Sequence, residues 1–410
     1  MDLSKLKMNS NVLLCYMQEQ GYSRMMLDEV SRVISFLLSQ EHNSWESYDD
    51  ALDEYLAPYR GSSTSTLFNK TSRFNAVVAF DLYGKLPDGY PDIRLIKKGA
   101  YYKLNSRYRF YIDTFKLALT KKVLSESTIR CYIGNASSIL LKFQERGHID
   151  LNDVRERDLV AIFYNDGNLT STDYRAIFLR FLKDADLEPD LAHRLRIWTP
   201  KYKKQKKNIQ YLTTEEAEII RDTLRTGEGL SYRDRAIGTL LYYTALRSVD
   251  IAKLKMSDID WENDLICIVQ EKNDMPWIAP LSAPVGNAIY DYIEKERPPV
   301  NDSHLFISLH RPFKGVTRKT ISGIVLNRIF DAACLRMKEN DRRGSHLFRH
   351  HLTNVMLEHG VRGTVISNAL GHQGTASIEP YLNTDFKNLK ECALSIDMYP
   401  LQLKGTKYGL

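Results

Sequence analysis

Six side chains in the C-terminal half carry groups that could act together on one anion. They are Arg247 in TALRSVDI, Lys272 in QEKNDMPWIAPL, His346 and Arg349 in SHLFRHH, and His372 and Tyr381 in LGHQGTASIEPYL. A tyrosine hydroxyl has a pKa of about 10, so Tyr381 attacks only where cations lower the cost of the phenolate and orient its target. Two arginines, a lysine and histidines supply that. The same arginines would neutralise the extra negative charge of a phosphodiester reaching its pentacovalent transition state, the role metal ions serve elsewhere. No carboxylate cluster of metal-binding type is evident in this part of the sequence, so the coherent mechanism uses no metal and no cofactor.

Taken singly, each residue has a plainer reading. Arg247 lies just past an apolar helix face and could be answered by an ion pair with Asp250. Lys272 sits in a hairpin turn, where lysines are usually only solvated. His346 and Arg349 are three apart, so on a helix they project from one face and could grip a single anion together, yet that spacing is common by chance. Tyr381 is one of 24 tyrosines. Only the set, in its order, points to chemistry.

The elements that must position this set are legible in outline. LTTEEAEIIRDTL opens with a Thr213 to Glu216 capping box, and RDRAIGTLLYYTAL puts Ile237, Leu240, Leu241 and Thr244 on one face of a core helix. IDW, LICIVQ and WIAPLS, separated by END and EKNDMP turns, predict a small three-stranded antiparallel sheet with Lys272 at its second turn. Beyond Pro284 the pattern is helical until near residue 397.

The order Arg in TALR, Lys in a β-turn ahead of APLS, HLFRH, LGH, and a Tyr nine residues after that His resembles the catalytic signature of the tyrosine recombinases, the phage-integrase family. The resemblance covers about residues 211 to 397. Residues 101 to 198, notably LSESTIRCYIGNASSILLKFQERG, are similar to that family's core-binding domain, while residues 1 to 100 match no family we can name. Carried over residue by residue, the resemblance implies that Arg247 and Arg349 clamp the non-bridging oxygens of the scissile phosphate. Lys272 would be the general acid for the departing 5′ oxygen, His346 would assist acid and base transfer, His372 would hydrogen-bond the phosphate, and Tyr381 would form a 3′-phosphotyrosyl link. Asp250 stands where the family commonly has Glu, and the hairpin carries Met275, Pro276 and Trp277 in place of the frequent glycines and arginine. His350 has a family counterpart often packed inside.

The activity so implied is site-specific recombination, integrating or excising a mobile element. Its alternatives are a chromosome-dimer resolvase of the same family, a type IB topoisomerase, and an inactive relative that only binds DNA. The implied partners are a double-stranded DNA recombination site, three further copies of the chain in a homo-tetramer on that DNA, and an accessory DNA-bending or directionality protein.

The rest of the chain sets the frame. At 410 residues it predicts two or three domains, mainly α with a small antiparallel β-sheet. Residues 1–100 read as a helical region of uncertain role, 101–198 as a helical core-binding domain, 199–210 as a basic linker, 211–397 as the catalytic domain and 398–410 as a tail. In the core-binding segment Ser125 is the expected N-cap of a helix whose stripe runs from Ile129 through Phe143 to a stop at Gly147. The linker crowds Lys201, Lys203, Lys204, Lys206 and Lys207 into a stretch with no apolar periodicity, which fits a solvated hinge and a strap along DNA phosphates equally. The net charge of +6 permits a nucleic-acid partner without demanding one. Five scattered cysteines, no apolar run of membrane length and no signal-like N-terminus predict a cytoplasmic protein, and the resemblance implies association with the nucleoid.

Overall fold

The structure is a computed structural model that describes residues 3–39, 45–87, 99–165, 168–169, 172–201, 210–272, 274–311, 313–338 and 341–371. It is mainly helical, and its described residues fall into two compact units. Apart from two short stretches, residues up to 201 form the first and residues from 210 onward the second. No helix among the described residues is long and apolar enough to cross a membrane.

The first unit begins with four helices, α1 (Ser4–Glu19), α2 (Arg24–Ser39), α3 (Tyr48–Leu56) and α4 (Thr64–Tyr83). It continues through α5 (Ala100–Lys103), α6 (Ser106–Thr120), α7 (Glu126–Glu145), α8 (Glu156–Phe163), α9 (Thr172–Asp184) and α10 (Pro189–Trp198). Ser125 does cap α7, its side chain accepting from the Thr128 N–H, and Ala136, Ile139, Leu140 and Phe143 are buried. They join Phe115, Phe163, Phe178 and Phe181 in one apolar cluster, each such side chain contributing about 1.5–3 kcal/mol by leaving water. α8 stops at Phe163, and Tyr164–Asn165 (β1) pairs antiparallel with Asn168–Leu169 (β2).

The second unit is built around α12 (Tyr232–Thr244). Before it, α11 (Thr214–Thr226) starts with the expected capping box: the Thr213 N–H donates to Glu216 Oε2 at 3.0 Å and the Glu216 N–H to Thr213 Oγ1 at 3.2 Å. α12 is buried nearly all round, and a Cβ at Gly238 would lie 2.5 Å from Leu224 and 2.7 Å from Ile329, so three helices approach there at contact distance. After α12 come α13 (Ser248–Lys253) and the sheet β3 (Ile259–Asp260), β4 (Leu265–Gln270) and β5 (Met275–Pro280), in the order β3-β4-β5 and antiparallel throughout. α14 (Ala283–Lys295) follows.

The expected helical run beyond Pro284 is then broken. Residues 297–311 and 313–317 are irregular, stitched by the bridges Lys255↔His304 and Ile307↔Gly315. α15 (Arg318–Thr320) passes through a π-helical stretch, Ile321–Val325, into α16 (Leu326–Ala332). α17 (His346–Glu358) and α18 (Gly363–Ala369) complete the described unit. Buried Asp234 on α12 binds Arg233 Nη2 and Arg328 Nη1, each at 2.8 Å, so the charge buried in this core is paired from two elements.

Candidate active site

Arg247 is placed by the end of α12. Ala245 takes a left-handed conformation, φ 51°, which costs a non-glycine residue about 1–2 kcal/mol and turns the chain sharply. Arg247 is then the N-cap residue of α13, with its side chain 14% exposed. Its Nη1 donates to Gln270 Oε1 at 2.7 Å, and its Nη2 to the Gly371 carbonyl at 3.4 Å. Asp250, the partner expected from sequence, is farther, 3.9 Å from Nη1. The Asp250 carboxyl is held above its usual range by burial, which outweighs the opposing pull of the Glu271 N–H at 3.0 Å and of Arg247 and Arg349.

Arg349 comes from the first turn of α17 and is almost fully buried. Its Nη1 donates to the Ala245 carbonyl at 3.0 Å, which holds the strained turn ahead of Arg247, and its Nη2 donates to the Leu370 carbonyl. Trp277 on β5 is buried and gives its indole N–H to the Ala369 carbonyl at 2.7 Å. Three consecutive carbonyls at the C-terminal end of α18, where a helix leaves its acceptors unpaired, thus take donors from the two arginines and the sheet. The next residue is His372.

His346 opens α17. Burial lowers its pKa first, and Arg349, Arg318, Arg247 and Lys272 push it further in the same direction, so its imidazole is neutral at pH 7 inside a cationic field. The same interactions place Arg247, Lys272, His346 and Arg349 around one locality. Lys272 is exposed, in the turn between β4 and β5. His350 stacks on His346 with ring centroids 5.8 Å apart and is pushed down to about 4, by burial foremost. His351 faces away, its Nδ1 3.0 Å from the Leu212 carbonyl, and serves the fold.

His372 and Tyr381 lie outside the described residues, as do Lys203, Lys204, Lys206 and Lys207; Lys201 is described and exposed. Sequence reasoning missed Gln270, Trp277 and Arg318. Gln270 did leave a signal: in LICIVQ the inward positions are Ile266, Ile268 and Gln270, so an amide stands where alternation demands an apolar side chain. Arg318 left none.

Residues 210–388 match the phage integrase family. A Sinorhizobium fredii (strain NBRC 101917 / NGR234) relative named integrase/recombinase y4gC is 33% identical over 172 residues, 42% of this chain and 86% of that one. Two longer relatives from the same organism are spanned for 40% and 41% of their length. Tyrosine recombinase XerC of Staphylococcus aureus is 24% identical over 298 residues, 71% of this chain and 96% of that protein. Among solved structures, XerH site-specific recombinase in its post-cleavage complex with palindromic difH substrate shares the fold, with a TM-score of 0.54 and 19% identity across 74% of this chain and 98% of that one. The chain belongs to the phage integrase family, the tyrosine recombinases, enzymes that cleave and rejoin DNA without metal or ATP.

Proposed function

We propose that this recombinase integrates or excises a mobile element at a specific double-stranded DNA site, with residues 211–397 as its catalytic domain and 101–198 as its core-binding domain. Arg247 and Arg349 hold the non-bridging oxygens of the scissile phosphate. Tyr381 Oη attacks phosphorus, its proton passing to His346, while the bond from phosphorus to the 5′ oxygen breaks. Lys272 protonates that departing oxygen, and His372 hydrogen-bonds the phosphate. The products are a 3′-phosphotyrosyl link and a free 5′ hydroxyl. A 5′ hydroxyl from another strand reverses the step, and because the phosphodiester energy is kept in the covalent link, no ATP is consumed.

The observation that carries this reading is the convergence of Arg247 and Arg349 on the adjacent carbonyls of Gly371 and Leu370, immediately before His372. A neutral carbonyl is a weaker acceptor than an anion, so an incoming phosphodiester has the stronger claim on both guanidinium groups. His346, kept neutral, is suited to take the phenolic proton. Four such sites on two duplexes make a homo-tetramer on DNA the working assembly.

The likeness to y4gC, itself called an integrase/recombinase, supports the mobile-element role. A second reading, resolution of chromosome dimers, is favoured by the match to XerC along 96% of that protein. The full chain can select its site from a random duplex pool, and plasmids carrying that site then separate the readings. Insertion between two plasmids supports integration, and deletion confined to directly repeated sites supports resolution. Relaxation of plasmids that lack the site would indicate a topoisomerase, and no strand exchange from any selected site would overturn both readings.

A further inference from the structure

The residue nearest the Arg247 guanidinium is not an acid but an amide. Gln270 ends β4, is fully buried, and accepts from Arg247 Nη1 through Oε1 at 2.7 Å. Asp250 is 3.9 Å away, too far for a hydrogen bond, and burial already disfavours its charged form. The other face of the Gln270 amide lies against Gly371. A Cβ at position 371 would sit 2.2 Å from Gln270 Oε1 and 2.5 Å from its Cδ and Nε2, so a side chain there would push the amide from its place, and Gly371 also has φ 61°, a conformation that favours glycine. Gln270 Nε2 meets no hydrogen-bond partner among the described residues, a condition a buried donor rarely holds without a functional reason.

We propose that Gln270 is a positioning residue for strand cleavage: it orients the Arg247 guanidinium with a neutral acceptor, leaving the full positive charge for the phosphate, and the glycine just before His372 leaves its amide undisturbed. The inference rests on the proposed role of Arg247 at the scissile phosphate. A carboxylate at the same place would hold the arginine equally well but would cancel the charge that binds the anion. That difference gives the test.

The full chain is assayed on a nicked suicide duplex carrying its pool-selected site, scoring covalent adduct in a single turnover. Two substrates are compared, one with an ordinary scissile phosphate and one with a methylphosphonate, which lacks one negatively charged oxygen. Gln270→Glu is expected to slow adduct formation about 10-fold or more on the phosphate, on the scale of a disturbed catalytic group, while the thermal midpoint stays near wild type. On the methylphosphonate the penalty should shrink, because less charge remains to be neutralised. Gln270→Leu should slow both substrates, and Gly371→Ala should reproduce it.

An equal penalty on both substrates for Gln270→Glu would reduce Gln270 to a structural role, and wild-type rates in both Gln270 variants would likewise overturn the inference. Arg247→Ala separates the two levels. If it leaves adduct formation intact, the site reading itself fails; if it abolishes adduct while Gln270→Glu is silent, only the role of Gln270 fails.

Discussion

At the scale of the residue, the sequence carried the order of the charged groups but not their partners. Arg247, His346 and Arg349 were recognisable because few other tasks need that order of cations, and the structure brings them to one locality with Lys272. Asp250 was the natural partner for Arg247 by spacing alone. The amide of Gln270 is closer because the pairing of β4 with β5 sets where β4 ends relative to α13, and no local pattern encodes that distance. The histidine pair gives a testable pH dependence. His350 titrates near 6.5 when unfolded and near 4 when folded, so the unfolded chain binds a proton that the folded chain refuses between these values. Stability is expected to be fully present above about 6.5 and to fall as pH drops toward 4. Denaturant midpoints across that window should fall less steeply in His350→Phe, with some slope remaining because His346 and His351 are shifted in the same direction. Adduct formation by the free enzyme should keep its rate to a pH below the usual histidine value, since His346 stays neutral there.

At the scale of the element, caps and periodicity were enough to find α7, α11 and α12, because capping boxes and apolar stripes are local. The irregular stretches 297–311 and 313–317 and the π-helical turn before α16 were not legible, since they answer to packing from elsewhere. Gly238 is the clearest case of such packing. Gly238→Ala should destabilise the second unit by about 1–3 kcal/mol, read as a lower denaturant midpoint, because the added methyl meets Leu224 and Ile329 at less than contact distance. Trp277 ties β5 to the end of α18, a link that no sequence spacing announces. Trp277→Phe keeps the apolar packing and removes one hydrogen bond, worth about 1 kcal/mol. Amide exchange in α18 should quicken while α11 and α12 keep their protection; unchanged exchange in α18 would show that the indole does not anchor it.

At the scale of the whole molecule, the mainly helical, multi-domain character and the small sheet were readable from composition and pattern, and the described residues do divide into two compact units. The basic segment from Lys201 to Lys207 belongs to this scale. If it tracks phosphates, neutralising its five lysines should weaken binding to all DNA sequences alike. The fall of affinity with salt should also flatten, its slope dropping by up to about 0.9 for each phosphate the segment no longer neutralises. Weakened binding confined to one sequence would assign the segment a different task.

The central claim is that a tyrosine attacks phosphorus within this arginine cluster, and peptide mapping of the trapped adduct tests it most directly. The full chain is reacted with the nicked suicide duplex, digested, and analysed by mass spectrometry. The expected result is a 3′-phosphonucleotide on the peptide carrying Tyr381, absent in Tyr381→Phe although that variant still binds the duplex. A nucleotide on another residue, or an adduct that survives Tyr381→Phe, would contradict the account.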